Sequence, residues 1–238
     1  MKLRVFLTII AAFAFAWGCN KEASKSQKNS VDDKSAVPKA SPKETPKDLS
    51  TANTKKPVPK TEIIDKFSVK LTTTKGDIII DVNPKWAPIA AKRFHELTEN
   101  GFYVNSPFFR VLEGFMAQAG INADPKLNKE WRSKKIKDDT VKESNKRGTV
   151  SFATAGPNSR TTQFFINFGD NTKLDRMGFA PFGKVRDMKT VEKLYSKYGE
   201  GAPRGNGPSQ KRLQLEGKVY WEKEFPKLDY IKSAEFVD

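Results

Sequence analysis

The stretch Phe108-Phe-Arg-Val-Leu-Glu-Gly-Phe-Met-Ala-Gln-Ala-Gly120 sets one arginine, Arg110, inside an almost wholly apolar run. Burying an unpaired guanidinium is costly. Arg110 therefore either reaches solvent from a half-exposed strand or has a task at the floor of an apolar pocket, as a fixed cationic donor. Other chemistries lack their parts. The chain has one histidine, His95, and one cysteine, Cys19. With no partner in view, His95 builds neither a hydrolytic triad nor a metal cluster, and no Gly-rich phosphate loop is present. No metal site and no cofactor are expected.

The elements that must hold Arg110 read as follows. Phe67–Thr72 alternates apolar and polar residues, Thr74–Asp77 is a turn in which Gly76 can take positive φ, and Asp77–Val82 is a second strand. Pro88 opens a helix in which Ile89, Ala90, Phe94 and Leu97 recur at helical spacing, and Asn100-Gly101 closes it. Strands are expected at Phe108–Leu112, Phe115–Ala119, Gly148–Ala153, Gln163–Phe168 and Phe179–Val185. A helix is expected over Met188–Tyr198, then a loop Gly199–Pro208, a partly helical Gln210–Phe225 and a closing strand Tyr230–Val237. Alternation puts Phe108, Arg110 and Leu112 on one face, and Met116 and Gln118 on one face of the next strand. Many short strands with two or three helices predict a mainly β fold, a closed antiparallel barrel capped by those helices.

The composition changes along the chain. Residues 1–19 have a basic start at Lys2 and Arg4, then an apolar Val5–Trp17. That stretch is too short to span a bilayer comfortably and fits a secretory signal. Cys19 follows it, and as the only cysteine it forms no disulfide framework. Residues 20–65 are rich in Lys, Ser, Thr and Pro and predict a disordered tether. As a coil it would span roughly 35 Å. Residues 66–238 remain for one domain. The net charge of +15 comes from lysines scattered without an aromatic-interleaved stripe, so a solvated surface is expected and nucleic acid is not. A monomer is expected.

Two stretches carry a family resemblance: Phe108–Gly120, and Gly148-Thr-Val-Ser-Phe-Ala-Thr-Ala-Gly-Pro-Asn-Ser-Arg-Thr-Thr-Gln-Phe-Phe-Ile-Asn167. With Leu174-Asp175 and Phe179-Ala-Pro-Phe-Gly-Lys-Val185 they resemble the cyclophilin-type peptidyl-prolyl cis-trans isomerases over nearly all of residues 66–238. The resemblance implies an eight-stranded barrel with helices over its ends and proline-containing polypeptides as substrates. It implies Arg110, Gln118 and Phe115 as catalytic residues. Met116, Phe165, Leu174 and Phe179 would wall the proline pocket. Gln163 would flank it, and Ala153, Thr154 and Ala155 would form the edge that binds an extended peptide. Phe109 stands where a histidine is frequent and Lys173 where many members carry a tryptophan, which implies weak binding of cyclosporin-type inhibitors. Cys19 resembles the lipidated cysteine of bacterial lipoproteins, although Ala16 and Trp17 depart from that pattern. Ordinary signal cleavage and a free thiol are the alternatives. The resulting expectation is an exported, envelope or periplasmic isomerase held by an N-terminal lipid anchor. A non-catalytic proline-peptide-binding module or chaperone on the same fold is the rival.

Such an isomerase has a definite physical task. Amide resonance sets a rotation barrier of about 18–20 kcal/mol. At the twisted transition state the proline nitrogen regains a lone pair. A fixed cationic donor binds that state better than either planar one, and this lowers the barrier.

Overall fold

The structure is a computed structural model that describes residues 65–238. The signal segment 1–19, Cys19 and almost all of the tether lie outside the described residues.

The first hairpin shows why these residues make strands. Strands β1 (Phe67–Thr73) and β2 (Gly76–Val82) pair antiparallel from Phe67↔Val82 to Thr73↔Gly76. Val69 and Leu71 on one, and Ile78, Ile80 and Val82 on the other, turn inward at period two and are buried. Helix α1 (Pro88–Glu99) starts with proline at its first turn and buries Ala90, Ala91, Phe94 and Leu97. Its N-terminal amides are capped from a distance: Asp139 accepts from Ile89 N–H at 3.0 Å and Ala90 N–H at 2.8 Å. Burial pushes the Asp139 carboxyl up, against those two hydrogen bonds.

The chain continues through β3 (Ser106–Pro107), β4 (Arg110–Leu112), β5 (Met116–Ala119), α2 (Pro125–Ser133), β6 (Thr149–Phe152) and β7 (Phe164–Asn167). It ends with α3 (Lys173–Arg176), β8 (Pro181–Val185), α4 (Gln210–Glu216), α5 (Lys218–Glu224) and β9 (Tyr230–Val237). One sheet runs β3-β9-β1-β2-β8-β6-β7-β5-β4. Its two ends, β3 and β4, are separated only by Phe108 and Phe109. The sheet therefore curls until both ends meet on one bent stretch, residues 106–112. Taken as one strand, that stretch makes eight strands around a mainly β, antiparallel, barrel-like fold.

Two apolar clusters fill it. The larger joins the inward residues of β1, β2, β5, β6, β7 and β8 to α1 and to Trp131 of α2. The smaller packs Phe109, Ile121, Leu213, Tyr220, Trp221 and Leu228 beneath α4 and α5. Phe109 is thus an anchor for these helices.

Some elements differ from expectation. Five α-helical segments occur among the described residues, because α2 was not foreseen, α3 is a single turn, and 210–225 is broken at Gly217. There Lys218 N–H leaves the helix to bond Ala123 O at 3.1 Å. Asp124 caps α2 by accepting from Lys126 N–H at 2.8 Å, ahead of Pro125. The helix expected over Met188–Tyr198 is only a 3-10 turn, Val191–Lys193. Tyr195 N–H bonds the Asp229 carboxylate at 2.7 Å, which pulls the chain out of helical geometry. Phe108 joins Val111 in the main core, so it does not share a face with Arg110; the bend at 108–109 breaks the simple alternation.

Candidate active site

Register across β4, β5, β7 and β6 lines up the site. Arg110 lies opposite Gln118, Gln118 opposite Phe165, and Phe165 opposite Ser151. Directly opposed residues on one face are neighbours. This face is turned away from the main core, which takes Val111, Ala117, Ala119, Phe164 and Ile166 from the same strands. Arg110, Gln118, Met116 and Phe165 are therefore free to line a separate cavity of about 240 Å³. Phe115, Ala153, Thr154, Leu174 and Phe179 complete its expected lining, and Glu200, Arg204 and Gln210 join them.

The guanidinium of Arg110 is held on several sides. Nη1 donates to Gln118 Oε1 at 3.3 Å and lies 3.7 Å from Met116 Sδ. Gln118 Nε2 in turn donates to Gln163 Oε1 at 2.9 Å. Gln163 is thus linked to Arg110 through Gln118. The Phe115 ring centroid lies 5.8 Å from Arg110 Cζ. Phe115 is set by its backbone, whose carbonyl accepts from Phe168 N–H at 2.9 Å and Asn171 Nδ2 at 2.8 Å. Nε and Nη2 of Arg110 donate to the two carboxylate oxygens of Glu200 at 2.8 and 2.7 Å. Burial raises the Glu200 carboxyl, but the Arg110 hydrogen bonds and charge, Gly201 N–H and Arg204 outweigh it and hold the group below the usual carboxylate range.

The apolar wall has its own support. Phe165 and Phe179 meet edge to face at 5.6 Å. Leu174 rides on α3, which Asp175 pins. The Asp175 carboxylate accepts from Ser144 Oγ at 2.5 Å and from Asn145 N and Nδ2 at 2.8 Å each. Asn145 Nδ2 also donates to Phe179 O at 2.8 Å, so one buried amide ties both wall residues together. Burial raises the Asp175 carboxyl, and the Ser144 and Asn145 hydrogen bonds more than offset this, so it ends below its ordinary value. The stabilisation is thus present above the unfolded carboxyl's pKa of about 3.9 and lost as pH falls through the lowered folded value. Asp175→Asn is expected to lower stability by roughly 1–2 kcal/mol at neutral pH. Melting curves should show the variant and the parent converging in acid; a constant gap would contradict this account.

The edge segment divides. Ala153 and Thr154 line the cavity, whereas Ala155 does not, and its N–H already donates to Ser159 Oγ at 3.0 Å. Ala153 N–H is likewise committed, to Gln163 O at 2.8 Å. His95 sits elsewhere, its ring 5.2 Å from Phe67 and 4.6 Å from Phe236. Among the described residues no group of three or more His, Cys, Asp or Glu could hold a metal ion. Glu200, Arg204 and Gln210 were not foreseen. The signal was the arginine itself, because a half-buried guanidinium calls for an anionic partner and Glu200 is the only acid in the 199–208 loop.

Comparison with known proteins decides the family. Residues 68–213 match the sequence profile of the family described as "Cyclophilin type peptidyl-prolyl cis-trans isomerase/CLD". The chain belongs to the cyclophilins. It is a peptidyl-prolyl cis-trans isomerase. Peptidyl-prolyl cis-trans isomerase A of Dickeya dadantii is 37% identical over 159 residues, covering 63% of this cyclophilin and 83% of the relative. Peptidyl-prolyl cis-trans isomerase B of Escherichia coli is 36% identical over 136 residues, covering 53% and 82%. The fold is shared with a Cryptosporidium parvum cyclophilin at a TM-score of 0.54 and 23% identity, over 73% of this chain and 98% of that one. A second crystal structure of the Cryptosporidium protein, in the presence of the dipeptide Ala-Pro, aligns at a TM-score of 0.53 and 23% identity, over 72% and 99%. Among the described residues of this cyclophilin, no helix is long and apolar enough to cross a membrane.

Proposed function

We propose that this cyclophilin isomerises X-Pro bonds in exported polypeptides, and that Arg110 is the group that selects the twisted bond. The observation that carries the catalytic part is the guanidinium at the edge of an aromatic and thioether-lined cavity. The proline ring enters between Phe115, Met116, Phe165 and Leu174. Thr154 and its neighbours border the segment that precedes it. Arg110 then donates to the imide nitrogen only when the bond twists, so the interaction favours the transition state over both planar isomers. The Ala-Pro dipeptide used with the Cryptosporidium relative supports a proline-containing ligand.

The export part rests on residues 1–19, the position of Cys19 and the Lys/Ser/Pro-rich segment after it. In this reading Cys19 carries the lipid, and the tether holds the enzyme clear of the membrane surface of the cell envelope. Two measurements test the proposal. NMR exchange on a proline tetrapeptide should show acceleration by the purified domain; binding without acceleration would favour a mere binding module. Mass analysis of the mature protein from the membrane fraction should find a lipid-modified N-terminus at Cys19. An unmodified thiol there, or a terminus elsewhere, would overturn the anchor.

A further inference from the structure

The loop of residues 199–208 contributes a carboxylate that the family reading does not use. We propose that Glu200 is a positioning residue for the reaction, holding the plane of the Arg110 guanidinium where a twisted imide can meet it. The inference rests on the reading of Arg110 as the catalytic cation.

A guanidinium carries five N–H bonds. Glu200 takes one from Nε and one from Nη2 in a two-toothed pair, at 2.8 and 2.7 Å. Gln118 takes one from Nη1 at 3.3 Å, and Met116 Sδ lies 3.7 Å from the same nitrogen. A single Nη2 hydrogen is left without a protein acceptor among the described residues. The planar fork is thus fixed on two edges, and one donor remains for a ligand in the cavity. A parallel two-bond pair sets the plane of the group as well as its place, which a single contact cannot do.

The loop is built around this residue. Glu200 O accepts from Gly207 N–H at 2.9 Å, and Gly201 N–H donates back to Glu200 Oε1 at 3.0 Å. A side chain at Gly205 would sit 2.3 Å from Glu200 O and 2.9 Å from its Cβ, and one at Gly207 would sit 2.8 Å from Glu200 O. Only bare backbone lets the loop close this tightly on Glu200. Such close packing around one acid is what an orienting group requires.

Glu200 does not plug the site. The cavity stays open at about 240 Å³, with Glu200 as one of its walls. Its charged lining is Arg110, Glu200 and Arg204. The charged groups that face Glu200 are Arg110 from β4 and Arg204 from its own loop; Gln210 at the start of α4 is uncharged.

The test uses E200Q, R110A and the double variant on the same proline tetrapeptide. NMR gives the exchange rate on the enzyme and the peptide Kd separately. E200Q is expected to slow on-enzyme exchange about tenfold and to leave Kd within about twofold. The Arg110 Nε–H signal, sharp and slowly exchanging in the parent, should broaden. In the R110A background, E200Q should cost nothing more. The parent's rate should fall in acid as Glu200 takes up a proton, and the E200Q rate should stay flat through that range. An E200Q rate equal to or above that of the parent would overturn the role, and a rise would mark Glu200 as a restraint on Arg110. A further loss in the R110A background would assign Glu200 to the scaffold instead. Full activity in R110A would remove the reading of Arg110 itself, and with it this role for Glu200.

Discussion

Arg110→Ala is expected to slow exchange of a proline tetrapeptide by roughly ten- to hundredfold. The figure follows from the interaction removed, since a charge-assisted hydrogen bond contributes about 1.5–3 kcal/mol net. Peptide affinity should change far less, because Phe115, Met116, Phe165 and Leu174 still line the cavity. Stability should hold too. The Arg110–Glu200 pair is partly exposed, with side-chain exposures of 21% and 30%, so Glu200 can rehydrate when left alone. Arg110→Lys is expected to lose most of the same rate, since an ammonium cannot make the two-toothed contact to Glu200 and still reach Gln118. NMR exchange measures the rate, and a chemical denaturation curve checks the fold. A variant with near-parental rate would remove the central role of the guanidinium.

Gly120→Ala is expected to be the most damaging small change to the fold. Gly120 follows β5 with φ of +99°, where an L side chain is strained. An added methyl would lie 2.4 Å from Thr162 O and 2.7 Å from Gln163 Cα. Both are backbone atoms of the segment leading into β7, and that segment is locked in place. Thr162 Oγ1 donates to Gly120 O at 2.8 Å, and Gly120 N–H donates to Ser106 Oγ at 3.0 Å. Strain and forced displacement together should cost about 3–5 kcal/mol. That corresponds to a fall in Tm of about 6–20 °C. Activity should fall as well, because Gln163 holds Gln118 and Gln118 holds Arg110. A variant that melts within about 2 °C of the parent would contradict this reading of the junction.

Much of the fold was legible because one face of each strand is buried. Val69, Leu71, Ile78 and Ile80 announce their strands by alternation, and Phe94 and Leu97 announce α1 by helical spacing. The misreadings arise where tertiary contacts override local pattern. Phe108 faces the core because the chain bends to join β9 on one side and β5 on the other. Residues 188–198 have helical composition, yet the Asp229 carboxylate captures Tyr195 N–H. At the site, Arg110, Phe115, Met116 and Gln118 lie close in sequence, and the family resemblance added Phe165, Leu174 and Phe179 from further along the chain. Glu200 is ninety positions away in a Gly-rich loop with no periodicity and was not foreseen; the need of Arg110 for a counter-ion was the one signal that could have found it.

The strand order has a consequence for how this catalyst comes into being. β9, residues 230–237, lies between β1 and β3 and zips against the opening strand from Ser68↔Val237 inward. Val69 must wait for Phe236 before the cylinder can shut. While synthesis is under way, the early strands have no permanent neighbour on that side. Contacts so distant along the chain make for slow maturation. The sheet therefore closes only once β9 has been made, and until then β1 presents an open β edge on that side.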